Sequence, residues 1–173
     1  MGGDRDGNPN VTPAITNEVV MMSRWTAATL LRKDLVDLRF DLSLKSGSEE
    51  LMTFTNGAYE PYRLVLKRLI QRLDATIKWT TDSLHRIEGR AVNNLNILLS
   101  NEEPIMKNEE VMEPLLLLHR SLLQTNNADV ASGRLVDIIR RVAVFGVQLL
   151  PLDMCVAQVH LYYRAICSTN CFF

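Results

Sequence analysis

The sequence predicts a mainly α-helical fold, and three observations support this prediction. Apolar residues recur at helical spacing over four stretches of the 173-residue chain. Residues that favour a helix start precede two of the stretches: Thr12 stands before Pro13, and Pro61 opens another run. Only residues 147–153 have the short, continuous apolar character of a buried strand. A single strand cannot form a sheet, so helices must dominate this chain.

The first predicted helix follows Thr12 and continues for about 30 residues. The residues expected on its apolar face are Ile15, Val19, Met22, Leu31, Leu35, Leu38 and Leu42. Residues 45–48 interrupt the pattern, and Ser48, followed by two glutamates, is predicted to cap a short helix that ends at Phe54.

The remaining elements follow the turn predicted at Asn56 and Gly57. A second long helix is expected from Pro61 to residue 87, with an apolar stripe of Leu66, Leu69, Leu73, Ile77 and Leu84. Residues 88–107 are predicted to be mostly loop. Two more helices are expected over residues 109–124 and 132–145, with Gly146 ending the last and a strand over residues 147–153.

The composition excludes several classes of protein. The net charge is −1 and the basic residues form no block, so we expect no nucleic-acid partner. The first residues lack the apolar core of a signal peptide, and no apolar run approaches the roughly 20 residues of a membrane span. We therefore expect a cytoplasmic protein without a membrane partner.

The opening stretch, GGDRDGNPNVTP, suits an anion better than a metal ion. A calcium loop would need a glycine where Pro9 stands and a glutamate where Ile15 stands. The stretch also lacks the GxGxxG pattern of a phosphate loop. Its glycines allow tight turns, and Arg5 has a planar fork of donors that matches phosphate or carboxylate. The alternative from spacing alone is that Arg5 pairs with its own acidic neighbours.

The composition changes abruptly after Asp153. Residues 154–173 contain no Asp, Glu or Lys, and all three cysteines lie there. The cysteine spacing matches neither a paired CxxC zinc site nor an even disulfide framework. We interpret residues 154–173 as an aberrant tail, of the kind that an altered reading frame or a retained intron produces.

The motif MGGDRDGNPNVT resembles, almost letter for letter, an internal motif of phosphoenolpyruvate carboxylase. The stretches EPYRLVLKRLIQRLDAT, EPLLLLHRSL and GRLVDIIRRVAVFGVQLLPLD are also similar to that family, with bacterial-type sequences nearest. The resemblance covers residues 1–153. It implies a fragment of the family's helix-rich α/β barrel, a partial domain with a substrate-phosphate loop at residues 2–12, helices, and the strand at 147–153.

The resemblance also implies a reaction. The family adds bicarbonate to phosphoenolpyruvate to give oxaloacetate and phosphate, a carbon dioxide fixation that feeds the tricarboxylic acid cycle. It implies Mg²⁺ or Mn²⁺ as cofactor and a homotetrameric parent enzyme. Arg5 matches the arginine that contacts the substrate phosphate, and Asp153 matches an aspartate that binds the metal. No catalytic residue is assigned, because the family's catalytic histidine motif has no counterpart in this sequence.

Catalysis requires several groups held together in one closed pocket, and this chain offers few of them. We therefore expect the isolated chain to be inactive and not to bind the metal tightly. The alternative function is a truncated helical interaction module that associates with full-length subunits.

Overall fold

The computed structural model describes residues 10–90 and 102–149, which form helices joined by short connections. The helices are α1 (Pro13–Asp41), α2 (Glu49–Phe54), α3 (Pro61–Ile87), α4 (Glu109–Gln124), α5 (Ala128–Val130) and α6 (Val136–Phe145). A helical segment, Ala131–Leu135, joins α5 to α6. The predicted bounds of the helices at 61–87 and 109–124 are confirmed.

Local side-chain contacts explain where the first helices begin. The Thr12 hydroxyl accepts a hydrogen bond from the Ile15 amide at 3.3 Å, and the Ser48 hydroxyl accepts one from the Leu51 amide at 3.2 Å. Each bond satisfies an amide that a helix start would otherwise leave without a partner. Both predicted caps are therefore confirmed.

The fourth long helix differs from its prediction. Helical structure begins at Ala128 rather than at residue 132, and it is kinked at Gly133, whose φ and ψ are −84° and −139°. Glycine has no Cβ and adopts such backbone angles at little cost, so a kink at this position is physically reasonable. Gly146 ends α6 with a φ of +59°, as predicted.

The four long helices alternate in direction. The Arg24 guanidinium, early in α1, lies 5.6 Å from the centre of the Trp79 ring, late in α3. The Arg39 carbonyl, near the end of α1, accepts a hydrogen bond at 3.1 Å from Arg63, near the start of α3. These pairs make α1 and α3 antiparallel.

The contacts of α4 and α6 continue this alternation. Tyr62 and Arg72 of α3 bond to Ser121 and Glu110 of α4, respectively, so these two helices are antiparallel. Arg134 and Arg141 form ion pairs with Asp41 and Asp34 of α1, respectively, so α6 runs antiparallel to α1. The beginning of α1, the end of α3, the beginning of α4 and the end of α6 therefore lie at one end of the bundle, which we call the site end.

One hydrophobic core joins these helices. Its fully buried large side chains include Leu35, Leu38, Leu51, Leu66, Leu73, Leu115, Leu118, Leu122 and Leu135. The predicted apolar face of α1 is correct for Leu31, Leu35, Leu38 and Leu42, but wrong for Ile15 and Met22, which are exposed. The first half of α1 has apolar residues of its own on several sides of the helix. Spacing alone therefore could not identify which side the other helices cover.

The mainly α prediction is confirmed for the described residues, which contain no β-strand. Val147 and Gln148 belong to a turn and Leu149 to a bend, so the predicted strand does not begin at residue 147. The chain turns because the Gly146 backbone leaves α6 at a positive φ. Residues 150–153 lie outside the described residues, and the α/β barrel of a longer protein stays a prediction. Within residues 10–90 and 102–149, no helix has the length and apolar character needed to cross a membrane.

Candidate functional site

Both predicted site residues, Arg5 and Asp153, lie outside the described residues, as do residues 2–9 of the predicted phosphate loop and the predicted tail at 154–173. The structure describes the residues through which each one joins the bundle. Residues 10–12 follow the segment of the chain that contains Arg5, and residues 146–149 precede Asp153. The geometry of the candidate site is therefore that of these two attachment points and their surroundings.

The first attachment point is the capped start of α1. Thr12 caps the helix through its side chain, and its carbonyl accepts hydrogen bonds from the Thr16 amide at 3.0 Å and the Thr16 hydroxyl at 3.2 Å. The first turn contains no acidic residue that would neutralise the partial positive charge of the helix start. The residues that follow Arg5 in the sequence thus lead into a capped, electropositive helix end.

The second attachment point is the turn after α6. The Val147 amide donates a hydrogen bond to Asn108 Oδ1 at 2.9 Å, and the Ser23 hydroxyl donates one to the Gln148 carbonyl. Val147 itself is buried in the core, with 3% of its surface exposed. The chain that continues to Asp153 is therefore held from two directions, by α1 and by the residue preceding α4.

The two attachment points lie at the same end of the bundle. Ser23 stands eleven positions after Thr12, which corresponds to about 16 Å along α1. Arg5 precedes Thr12 by seven positions and Asp153 follows Gln148 by five, giving maximal reaches of roughly 24 and 17 Å. These lengths are compatible with both side chains contributing to one site.

A polar network at the site end holds the segment before α4. Arg24 is 7% exposed, and its Nη2 donates to the Met106 carbonyl at 2.6 Å, beside the Trp79 ring. The Met106 amide in turn donates to Glu110 at 3.1 Å, and Glu110 is paired with Arg72 of α3. Sequence reasoning missed this network, because residues so far apart in the chain carry no spacing signal.

The environment of Glu110 favours its charged form. Burial by itself raises the pKa of the Glu110 carboxyl, but hydrogen bonds from Arg72 and from the Lys107 and Met106 amides outweigh it. The net effect is a pKa below the ordinary value of 4.5. Glu110 is therefore a charged anchor that joins α3 to the start of α4.

The described residues do not by themselves fit a divalent metal ion. Across residues 10–90 and 102–149, no three acidic, histidine or cysteine side chains lie close enough together to hold one. Metal binding through Asp153 accordingly stays a prediction, and no chemical step is derived from a metal.

Comparison with known proteins identifies the family. A sequence model of the family described as phosphoenolpyruvate carboxylase matches residues 1–162. The chain is 44% identical over 155 residues to the phosphoenolpyruvate carboxylase of Acinetobacter baylyi and 43% identical over 155 residues to that of Shewanella sediminis. It is 41% identical over 154 residues to the phosphoenolpyruvate carboxylase of Hahella chejuensis.

Each alignment covers 89% of this chain and only 16% or 17% of the relative, so the chain spans about a sixth of the relatives' length. The family match includes Arg5 and Asp153, and it extends past the boundary predicted after Asp153. The match and these identities show that the chain belongs to the phosphoenolpyruvate carboxylase family.

Proposed function

We propose that this chain is part of an enzyme that adds bicarbonate to phosphoenolpyruvate to give oxaloacetate and phosphate, a cytoplasmic homotetramer that supplies the tricarboxylic acid cycle. The observation that carries the proposal is the family match over residues 1–162, which includes both predicted site residues. The described residues that lead toward Arg5 and Asp153, at 10–12 and 146–149, lie at one end of the bundle. This supports the proposal, because one reaction needs both side chains within one site.

Arg5 is proposed to bind the phosphate of phosphoenolpyruvate. Its guanidinium can donate two parallel hydrogen bonds to phosphate oxygens, which a lysine ammonium cannot reproduce. The electropositive start of α1 lies a few residues further along the chain and favours an anion nearby. Pairing of Arg5 with Asp4 and Asp6 could hold the guanidinium in one orientation, so the alternative from spacing is compatible with this role.

Asp153 is proposed to be a ligand of Mg²⁺ or Mn²⁺. A carboxylate suits these ions, and the metal would supply charge stabilisation to the oxygen that becomes negative in the reaction. One carboxylate is too few ligands for tight binding, so the isolated chain is proposed neither to hold the metal tightly nor to turn over substrate.

A second candidate is an interaction module that associates with full-length subunits of the family. The observation in its favour is the outer surface of α1, where Ile15, Met22 and Trp25 are all exposed. Exposed apolar side chains grouped on one helix are typical of a surface that another protein covers. On this proposal the chain acts by binding family subunits rather than by catalysis.

The test begins with the protein that the source cells contain. An antibody to residues 61–84 would isolate every species carrying α3, and its intact mass and its formation of oxaloacetate from phosphoenolpyruvate, bicarbonate and Mg²⁺ would be measured. We expect a species well above 19.6 kDa that forms oxaloacetate, and no turnover by the recombinant 173-residue chain. A larger species without carboxylation would contradict the proposal, and a 19.6 kDa species co-purifying with larger family subunits would support the interaction module.

The role of Arg5 is tested by substitution in the longer protein that the antibody isolates. Arg5→Ala should lower kcat/KM for phosphoenolpyruvate by on the order of 100-fold, and Arg5→Lys should restore only part of the loss. Arg140→Ala is the matched control, because Arg140 is largely exposed and pairs only within α6 in the described contacts. Equal effects of the Arg5 and Arg140 variants on kcat/KM would contradict a role of Arg5 in binding phosphoenolpyruvate.

A further inference from the structure

We propose that Asn108 and Ser23 are positioning residues, which clamp the chain after α6 and thereby orient the segment leading to Asp153. This inference rests on the proposed function, since it assigns a purpose to the clamp only if Asp153 serves a site. The clamp comprises two hydrogen bonds, from the Val147 amide to Asn108 and from Ser23 to the Gln148 carbonyl.

The side chain of Asn108 does not make the hydrogen bond that its position in the chain favours. Asn108 is the N-cap residue of α4, where an asparagine side chain usually accepts a hydrogen bond from its own helix. Here it makes no such bond, and Oδ1 accepts instead from Val147, 39 positions later in the chain. Because Asn108 bonds to a distant backbone amide instead of capping its own helix, we infer that its function is to hold this amide.

Gly146 makes the close approach of Asn108 feasible. A Cβ on Gly146 would lie 2.6 Å from Asn108 Oδ1 and 2.8 Å from Nδ2, closer than Cβ atoms normally approach other heavy atoms, so the Asn108 side chain would have to move. The Gly146 φ of +59° and ψ of −153° also belong to a region that is essentially restricted to glycine. Both the backbone conformation of residue 146 and its contact with Asn108 therefore require a glycine at this position.

Both halves of the clamp are anchored to one framework. Ser23 precedes Arg24 on α1, and Arg24 bonds to the Met106 carbonyl two positions before Asn108. The contact of Arg24 thus holds Ser23 and Asn108 relative to each other, independently of their bonds to the chain after α6. Such support is what a site requires, because small displacements of a functional group strongly reduce catalysis.

Hydrogen–deuterium exchange on the 173-residue chain tests the clamp without any assay of activity. Asn108→Ala should raise the exchange rate of the Val147 amide by about tenfold, the effect of losing one hydrogen bond, and leave the buried amides of α4 unchanged. Asn108→Asp keeps an acceptor oxygen and should restore slow exchange. An unchanged Val147 rate, or an equal rise throughout α4, would overturn the inference.

Ser23→Ala provides an independent test, with Ser132→Ala as matched control. The Ser132 hydroxyl bonds to the carbonyls of Ala128 and Asp129 in the adjoining α5, so its loss should not alter exchange after α6. Ser23→Ala should accelerate exchange at residues 147–149 by a few-fold. Equal exchange in the two serine variants would count against Ser23.

The effect of the clamp on the enzyme is measured in the longer protein that the antibody to residues 61–84 isolates. Asn108→Ala should raise the apparent KM for Mn²⁺ several-fold, leave the KM for phosphoenolpyruvate within about twofold, and be rescued by Asn108→Asp. Unchanged constants in an active enzyme would overturn the positioning role. A wild-type larger species without carboxylation, combined with the expected exchange result, would refute the proposed function and leave the clamp as a structural feature.

Discussion

The two ends of the helical bundle are held by different kinds of contact. At the end opposite the site end, the Tyr62 hydroxyl and Ser121 Oγ lie 2.7 Å apart, and Ser121 Oγ accepts from the Ser48 amide at 2.8 Å. All three residues are buried. At the site end Arg24 is buried too, but the side chains of Ser23 and Asn108 reach carbonyl and amide groups from partly or fully exposed positions.

Helix α1 shows the same contrast along its own length. Leu31, Leu35 and Leu38 in its second half are buried, whereas Met22 and Trp25 in its first half are 52% and 39% exposed. The second half of α1 therefore buries large apolar side chains in the core, whereas its first half contributes the polar contacts of Ser23 and Arg24.

The largest expected effect would break the well-packed half of α1. Leu35→Ala removes a side chain that is 0% exposed and should lower the free energy of unfolding by about 2–5 kcal/mol. Leu30→Ala is the matched control on the same helix, since Leu30 is 53% exposed and should cost about 0.5 kcal/mol or less. Urea denaturation followed by circular dichroism measures both, and similar losses would mean that the burial of Leu35 in the core does not stabilise the protein.

The next effect concerns the buried polar contacts opposite the site end. Ser121→Ala would leave the Ser48 amide and the Tyr62 hydroxyl without their shared partner. Because unsatisfied buried groups retain their desolvation cost, we expect a loss of about 2–3 kcal/mol in the free energy of unfolding. The Ser132→Ala variant should stay within about 0.5 kcal/mol of wild type in the same denaturation experiment.

A smaller effect is expected from Gly146→Ala at the site end. The positive φ alone should cost about 1–2 kcal/mol in the free energy of unfolding, and contact with Asn108 adds to it. In a double-mutant cycle, adding Asn108→Ala should recover the part that arises from the contact but not the part that arises from φ. Strictly additive losses would mean that the two residues do not interact.

The smallest effect is a dependence on pH through Glu110. A folded-state pKa below the ordinary value stabilises the protein above that value, and this stabilisation is lost as the pH falls through the folded-state pKa. Glu110→Gln should therefore lower the free energy of unfolding near neutral pH by about 1 kcal/mol or less, since the ion pair is partly exposed. The difference from wild type should shrink as the pH is lowered below 4.5, and a constant difference would argue against the ion pair.

The sequence by itself determined where most helices begin and end. Thr12 and Ser48 act on amides three positions later, and Gly146 supplies a backbone conformation that other residues avoid, so each signal lies within a few residues of its effect. The opening motif likewise identified the family from contiguous letters. These features are local, and local chemistry can be read from the order of residues.

The tertiary structure alone decided which side of α1 is buried and how the chain leaves α6. Apolar residues on several sides of α1 offered more than one face, and packing against α3 selected the one containing Ala28 and Leu35. The bond between Asn108 and Val147 joins residues 39 positions apart, and that between Ser23 and Gln148 joins residues 125 apart. No spacing rule connects such residues, because only the packing of the helices brings them within hydrogen-bonding distance.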